Sequence, residues 1–377
     1  LNVTILLAVP VLASAAFATW VALRVLVPLA HRYNWLDHPA GRKDHATPTP
    51  IVGGLAVVVG STVAAVVLGA YLDGKPGLLA FAVAAGLLVV VGLLDDLYDI
   101  RWPWRIAAQV LAALIMSFGA GVKVAYIGNV FGIPVDGLGW LSVPFTVFIT
   151  VALINAINMC DGVDGLAGSL VTAALLMLAM AAWYSGNAVL FQHLLTFVAA
   201  MAVFLAYNLR TSWQGRARVF LGNAGSMFLG LVIAWATLGL TQNPAHPVTP
   251  VLAPFFLVPP IMDSIALIIR RICHGRSPFS ADRNHLHHLM LDAGFGPTQV
   301  AGLLTLFSFA CGGLAALSQR YDWLSISALI VIYTLGTIAW FAYSYRRERA
   351  VAGFARLRGW LGGRPEPVAG LGGEPTP

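Results

Sequence analysis

The chain has 377 residues, of which 59% are hydrophobic and only 10% charged, with a mean hydropathy of +0.81. An ordinary soluble domain carries about 25% charged residues, so this composition excludes a secreted disulfide scaffold, a disordered chain and a conventional cytosolic enzyme. The net charge of +6 reads as loop topology in a membrane protein rather than as a nucleic-acid-binding surface.

The apolar residues form continuous runs rather than alternating, which argues against a β-barrel. A bilayer-spanning helix needs about 20 mostly apolar residues. About eleven such segments follow one another, at 3–27, 51–71, 77–94, 104–121, 139–157, 166–184, 189–207, 221–240, 250–269, 299–319 and 324–344. The first lacks a basic n-region and a small-residue cleavage site, so it reads as a retained helix. The gap at 122–138 has room for a hairpin or a re-entrant turn. The expected architecture is an all-α polytopic membrane domain over residues 1–345, followed by a tail over 346–377 that starts basic and ends Gly/Pro-rich.

The positive-inside rule orients this arrangement. Placing loops 28–50, 95–103, 158–165, 208–220, 270–298 and the tail in the cytoplasm leaves only Lys75, Lys123 and Arg320 of the 22 Lys/Arg outside. The N-terminus is then outside and the C-terminus cytoplasmic, and every cluster of acids faces inward. Cys160, Cys273 and Cys311 are scattered and form no metal-binding pair, and Cys160 and Cys273 adjoin inside loops, where thiols stay reduced.

Five polar clusters and one lone acid interrupt the apolar pattern. The first cluster, Asp37 through Gly54, carries Arg42 and Lys43. Contact with anionic headgroups would explain both, and a specific lipid-phosphate contact is the sharper alternative. The second, Gly92 through Asp99, sets Asp95 beside Asp96 at the inner end of an apolar run. Adjacent carboxylates there need a cation, a basic partner or a raised pKa, and Mg²⁺ suits oxygen ligands shared with phosphates. The bland account is a solvated helix end near Arg101 and Arg105.

The third cluster, Asn155 through Gly168, brings out Asn155, Asn158, Asp161 and Asp164 directly from an apolar run. Asn155 and Asn158 share a helical face, and polar groups at that depth are costly unless they line a site or bond across helices. The fourth, Phe220 through Ser226, is a Gly-rich turn opening a helix, which suits phosphate, with Asn223 as a simple N-cap as the alternative. Asp263 follows as an intramembrane acid, whose bland role is pairing with Arg270 or Arg271. The fifth cluster runs from Arg270 to His288, and its Arg283, His285, His287 and His288 suit phosphate and sugar recognition. No Cys or third acid is near enough there for a closed zinc site.

These pieces carry the motifs RKDHATPTPIVGG, GLLDDLYD, NAINMCDGVDGLAG, VFLGNAGS and SPFSADRNHLHH, in that order. Together, over about residues 31–300, they resemble the polyprenyl-phosphate N-acetylhexosamine-1-phosphate transferases, and in particular the WecA-like branch that loads GlcNAc-1-phosphate onto undecaprenyl phosphate. The resemblance implies that UDP-GlcNAc and undecaprenyl phosphate give GlcNAc-diphospho-undecaprenol and UMP with Mg²⁺ or Mn²⁺, at the bacterial inner membrane, initiating a lipid-linked glycan such as O-antigen. Membrane lipids are implied neighbours, nucleic acid is not an implied partner, and a homodimer is left open.

Carried over by motif position, Asp95 is the base that deprotonates the lipid phosphate, and Asp96, Asn158 and Asn223 surround the metal and diphosphate. Asp95 and Asp96 together form the catalytic pair. Asn155, Asp161 and Asp164 serve the nucleotide. Arg283, His285, His287 and His288 hold diphosphate and sugar, and Lys43 meets the lipid phosphate. A covalent route through an aspartate is the competing mechanism. One departure stands out: the family pattern reads Gly-Asp-Ala-Gly-Ser where this chain has Gly222-Asn223-Ala224-Gly225-Ser226. Asn keeps a carbonyl oxygen for a hard ion but not the charge. Rival classes are the same chemistry on another UDP-N-acetylhexosamine, a metal-dependent lipid phosphatase, and an ion-coupled transporter, which would need mid-bilayer charges and inverted repeats.

Overall fold

A computed structural model describes residues 3–38, 47–69, 76–135, 137–243, 248–278 and 283–362. Within them the protein is helical, with two very short hairpins. The apolar runs become α1 (Val3–Tyr33), α2 (Gly53–Val67), α3 (Pro76–Tyr98), α4 (Trp102–Gly119), α5 (Ser142–Cys160), α6 (Leu166–Tyr184), α7 (Ala188–Asn208) and α8 (Gly222–Thr241). After a 3₁₀ stretch at Pro250–Leu257 come α9 (Val258–Cys273), the short α10 (Leu286–Asp292), α11 (Pro297–Arg320), α12 (Ile326–Ser344) and α13 (Arg347–Trp360). Strands β1 (Leu36–Asp37) and β2 (Thr49–Pro50) pair antiparallel, as do β3 (Gly128–Val130) and β4 (Ile133–Val135). The 122–138 gap therefore holds a hairpin.

Each of the eleven apolar segments contains a helix, and among the described residues nine are long and apolar enough to cross a membrane. The two others are α2, which has 15 residues, and α4, whose first turns carry Arg105 and Gln109. The protein is thus a polytopic all-α membrane protein.

The centre of the bundle is α8, apolar nearly all round and almost wholly buried among α2, α3, α5 and α6. Lipid tails are as apolar as leucine, so helices in a bilayer gain chiefly from close packing of small residues. That packing is tightest at the start of α8. A Cβ added at Gly92 of α3 would lie 2.5 Å from the Ala224 Cα, so only glycine lets α3 touch the α8 backbone there. One turn farther along α3 come Asp95 and Asp96. A second, smaller core joins α10, α11 and α13 to the start of α6, through Leu289, Met290, Phe295, Val300, Ala350 and Val351 against Leu166 and Leu170. It holds α10 beside the turn that links α5 to α6.

Candidate active site

The C-terminal ends of α3, α5 and α7 and the N-terminal ends of α8 and α11 meet around one polar cavity of about 830 Å³. Its wall holds seven carboxylates (Asp37, Asp95, Asp96, Asp99, Asp161, Asp164 and Asp292), the amides Asn158, Asn208 and Asn223, and the cations Arg210 and Arg283 with His288. A second cavity of comparable size, between α2, α3, α7 and α8, is mainly apolar.

The two adjacent carboxylates of α3 have different surroundings. Asp95 is almost fully buried; its Oδ2 accepts from the Arg105 guanidinium at 2.9 Å, and its Oδ1 has no hydrogen-bond partner. Asp96 instead takes the backbone N–H groups of Asn223 (2.8 Å) and Ala224 (3.2 Å), at the positive end of α8. This contact depends on Gly222, which has φ +75° and no room for a side chain, since a Cβ would lie 2.8 Å from Asp96 Oδ2. Asn223 is bound in turn: its Oδ1 accepts from Asn158 Nδ2 at 2.7 Å, and the same Asn158 amide donates to Ser226 Oγ at 2.8 Å.

The turn between α5 and α6 forms the opposite wall. Asp164 accepts from Arg210 Nε at 2.6 Å and from the Ala217 N–H at 3.1 Å. Asn208 ties the same turn down, accepting from the Gly165 N–H and donating to the Val219 carbonyl, both at 2.8 Å. Burial pushes the Asp161 carboxyl up to about 8, assisted by the charges of Asp96, Asp164 and Asp37. In the absence of a cation, Asp161 therefore holds a proton at neutral pH.

The histidines divide unevenly. His288 and Arg283 line the cavity, whereas His285 and His287 are buried and not among its lining residues. His285 Nδ1 donates to Asp263 Oδ2 at 3.1 Å, and Asp263 Oδ1 accepts the Leu286 N–H at 3.0 Å. His287 lies between His285 and His288, with ring centroids at 5.3 and 4.4 Å, and its Nε2 reaches Gly162. Burial first, then the neighbouring His285, His288 and Arg283, hold the His287 pKa well below its ordinary value, so this ring is neutral.

Asp263 thus bonds to α10 in place of the expected Arg270 or Arg271 pairing, while Arg270 donates to Ser344 and Arg271 to the Pro278 carbonyl. Asp263→Ala would strand two buried donors and should lower thermal stability in detergent by about 2–4 kcal/mol. Asp263→Asn keeps one acceptor and should lose roughly half as much; equal stability of all three forms would contradict the anchoring role.

The structure gathers Asp95, Asp96, Asn158, Asp161, Asp164, Asn223, Arg283 and His288 around one space. Asn155 sits one turn deeper and donates to Gln109 of α4 at 2.6 Å, joining α5 to α4. Lys43 lies outside the described residues. Arg105, read from the sequence only as part of a solvated helix end, pairs with Asp95, and Asn208, Arg210 and Asp292, which the motif reading did not single out, belong to the site or its immediate support. The polar end of the α7 run, Asn208 followed by Arg210, was the available signal for two of them.

The donor chemistry fits a hard cation. Hard carboxylate and amide oxygens meet where α3, α5 and α8 converge, and the Asp95 Oδ1 is buried without a partner. Among the described residues no three His, Cys, Asp or Glu side chains converge to enclose a metal on their own. A Mg²⁺ ion usually keeps waters and shares its shell with substrate phosphates, so such a cage is not required of a site that would hold one.

Comparison with known proteins agrees with this geometry. Residues 78–241 match the model of Glycosyl transferase family 4. The chain is 33% identical over 344 residues to the undecaprenyl-phosphate alpha-N-acetylglucosaminyl 1-phosphate transferase of Escherichia coli (strain K12), covering 89% of this chain and 92% of that protein. The proteins of the same name from Yersinia pestis and Haemophilus influenzae are 33% and 31% identical, over 87% and 85% of this chain and 88% and 89% of their own lengths. With the matched region running from α3 through α8, across the carboxylate pair and the three amides, the chain belongs to Glycosyl transferase family 4.

Proposed function

We propose that the protein transfers GlcNAc-1-phosphate from UDP-GlcNAc to undecaprenyl phosphate at the cytoplasmic face of a bacterial inner membrane, releasing UMP and starting a lipid-linked glycan such as O-antigen. The observation that carries this reading is the polar cavity at the ends of apolar helices, with Asp95 and Asp96 on one wall and Arg283 and His288 on another. A membrane-borne phosphate and a soluble nucleotide sugar can meet only at such a boundary.

In the proposed reaction an oxygen of the lipid phosphate attacks the sugar-bearing phosphorus of the UDP-sugar. A new P–O bond forms, the bond from that phosphorus to the UMP oxygen breaks, and UMP leaves. Asp95 takes the proton of the lipid phosphate on its unpartnered Oδ1, while Arg105 fixes Oδ2. Asp96, braced by the α8 N-terminus, and Asn158 and Asn223 would hold a divalent cation. When bound, Mg²⁺ or Mn²⁺ supplies the positive charge that offsets repulsion between two anionic substrates in a carboxylate-rich cavity. Asp161 and Asp164 serve the nucleoside side. Arg283 and His288 meet the diphosphate and sugar, with His285 and His287 setting their position, and Lys43 meets the lipid phosphate.

The test is membranes incubated with labelled UDP-GlcNAc, undecaprenyl phosphate and Mg²⁺. Label should enter lipid with release of UMP, stop on chelation and return with Mg²⁺ or Mn²⁺. Loss of lipid phosphate to water without sugar transfer would instead make the protein a phosphatase, and competing UDP-sugars define the hexosamine.

The protonated Asp161 sets a pH dependence. Its pKa near 8 means that a cation drawn to this carboxylate cluster must displace a proton below that pH. Cation affinity should therefore rise as pH increases toward about 8 and level off above it, with proton release detectable by calorimetry in buffers of different ionisation enthalpy. An affinity flat across that range would remove Asp161 from the cation's surroundings.

A further inference from the structure

Beyond the cavity, the clearest feature without an assigned role is α13. It begins three residues after α12, a candidate membrane span, ends at Ser344. The chain folds back over the last turns of α12: Phe354 meets Trp340 and Tyr343, with ring centroids at 6.3 and 6.1 Å, and Gly353 lies against the Tyr343 hydroxyl. The face of α13 that carries Gly353 therefore lies at the membrane boundary where α12 ends.

That face continues beyond α12, and among the described residues no hydrophobic cluster covers it. Leu357 and Trp360 follow Gly353 at helical spacing and are 40% and 89% exposed. Arg346, Arg349 and Arg356 flank them, also exposed, and no carboxylate among the described residues pairs with them. The opposite face is occupied. Ala350, Val351 and Phe354 enter the core shared with α10 and α11, Arg347 pairs with Asp292 at the end of α10, and the Arg358 guanidinium lies over Gly294. Topology bias alone accounts for arginines after a span. It does not account for a Trp and a Leu left bare on the same side of a helix as three of the five.

We propose that α13 is an interfacial helix that lies on the bilayer and binds anionic phospholipid headgroups through Arg346, Arg349 and Arg356, with Leu357 and Trp360 sunk into the acyl boundary. Its inner face clamps α10 through the Arg347–Asp292 pair. Because Asp292, Arg283 and His288 line the cavity, the lipid surface is thereby linked to the wall that α10 provides. Neither the proposal nor its test depends on which reaction the cavity performs.

The test is amide hydrogen exchange of residues 347–360 in the full-length protein, held in nanodiscs of phosphatidylcholine alone or of equal parts phosphatidylcholine and phosphatidylglycerol. Exchange should be about tenfold or more slower with phosphatidylglycerol, and about 1 M salt, where the Debye length is near 3 Å, should remove the difference. The triple variant Arg346→Glu, Arg349→Glu, Arg356→Glu should lose the protection, and the corresponding triple Lys variant should keep it, separating charge from any folding defect. Quenching by brominated phosphatidylglycerol should fall in Trp360→Phe. Equal exchange in the two discs, or protection that survives the Glu substitutions, overturns the proposal. So does protection that requires an added soluble protein, which would assign this face to a protein partner.

Discussion

On the proposed reaction, Asp95→Asn should lower transfer of labelled GlcNAc-1-phosphate by about 10²–10⁴-fold while the protein stays folded in the membrane. The expected loss follows from how the two oxygens of Asp95 are used. Oδ2 accepts the Arg105 guanidinium at 2.9 Å and sets the orientation of the group. Oδ1 is buried, has no hydrogen-bond partner and is the only one of the two left to receive a proton. Asn preserves the shape and can still accept from Arg105 through its carbonyl oxygen, but its nitrogen is no base. A purely structural carboxylate would tolerate this change, so activity near that of the parent would remove Asp95 from the proton transfer. Arg105→Ala provides the complementary measurement. It leaves a buried carboxylate without its partner, which is destabilising, and should lower thermal stability as well as activity. The Asn substitution, which removes the charge along with the basicity, should leave stability closer to the parent.

The sequence revealed most of the cavity because the site sits where apolar runs stop. Asp95, Asp96, Asn158, Asp161 and Asn223 are polar groups at the ends of otherwise apolar helices, a position that is costly without a partner or ligand. Their partners were harder to see. Arg105 opens the helix after the one that carries Asp95, and Arg210 and Asn208 reach Asp164 and Gly165 from the end of α7. Such pairs depend on which helix ends become neighbours in space, and no local pattern encodes that. The same reason limits the histidine motif. Three histidines within four residues look equivalent in a string, but His285 is held by Asp263, His287 is stacked between its neighbours, and only His288 reaches the cavity wall. The tail shows the converse. Arg347 through Arg358 read as a basic run, yet alanines, Val351 and Phe354 placed among the arginines gave α13 an apolar face to bury on α10.

Asn223→Asp should tighten divalent-cation binding by about tenfold or more, or roughly 1.4 kcal/mol, with the opposite effect on the cation-free protein. As it stands, position 223 is satisfied by neutral chemistry: its amide oxygen takes a hydrogen bond from Asn158, and its backbone N–H is donated to Asp96. A carboxylate there could still accept from Asn158, but it would bring a second negative charge beside Asp96. Without a cation the two charges repel, so the variant should unfold at a lower temperature than the parent, or take up a proton at neutral pH. With a cation the same charge becomes an additional anionic ligand, and the order of stability should reverse. Mn²⁺ titration followed by electron paramagnetic resonance measures the affinity. Thermal unfolding with and without Mg²⁺ measures the reversal. Because both readouts are independent of turnover, they separate the cation's seat from the chemistry. An unchanged titration would place the cation elsewhere in the cavity and leave Asn223 as a helix-end amide that fixes Asn158 and braces Asp96. A tightened titration would mean that this chain, with an amide rather than an acid at this helix end, holds its cation with one charge fewer than a carboxylate there would supply and depends more heavily on the substrate phosphates to complete the site.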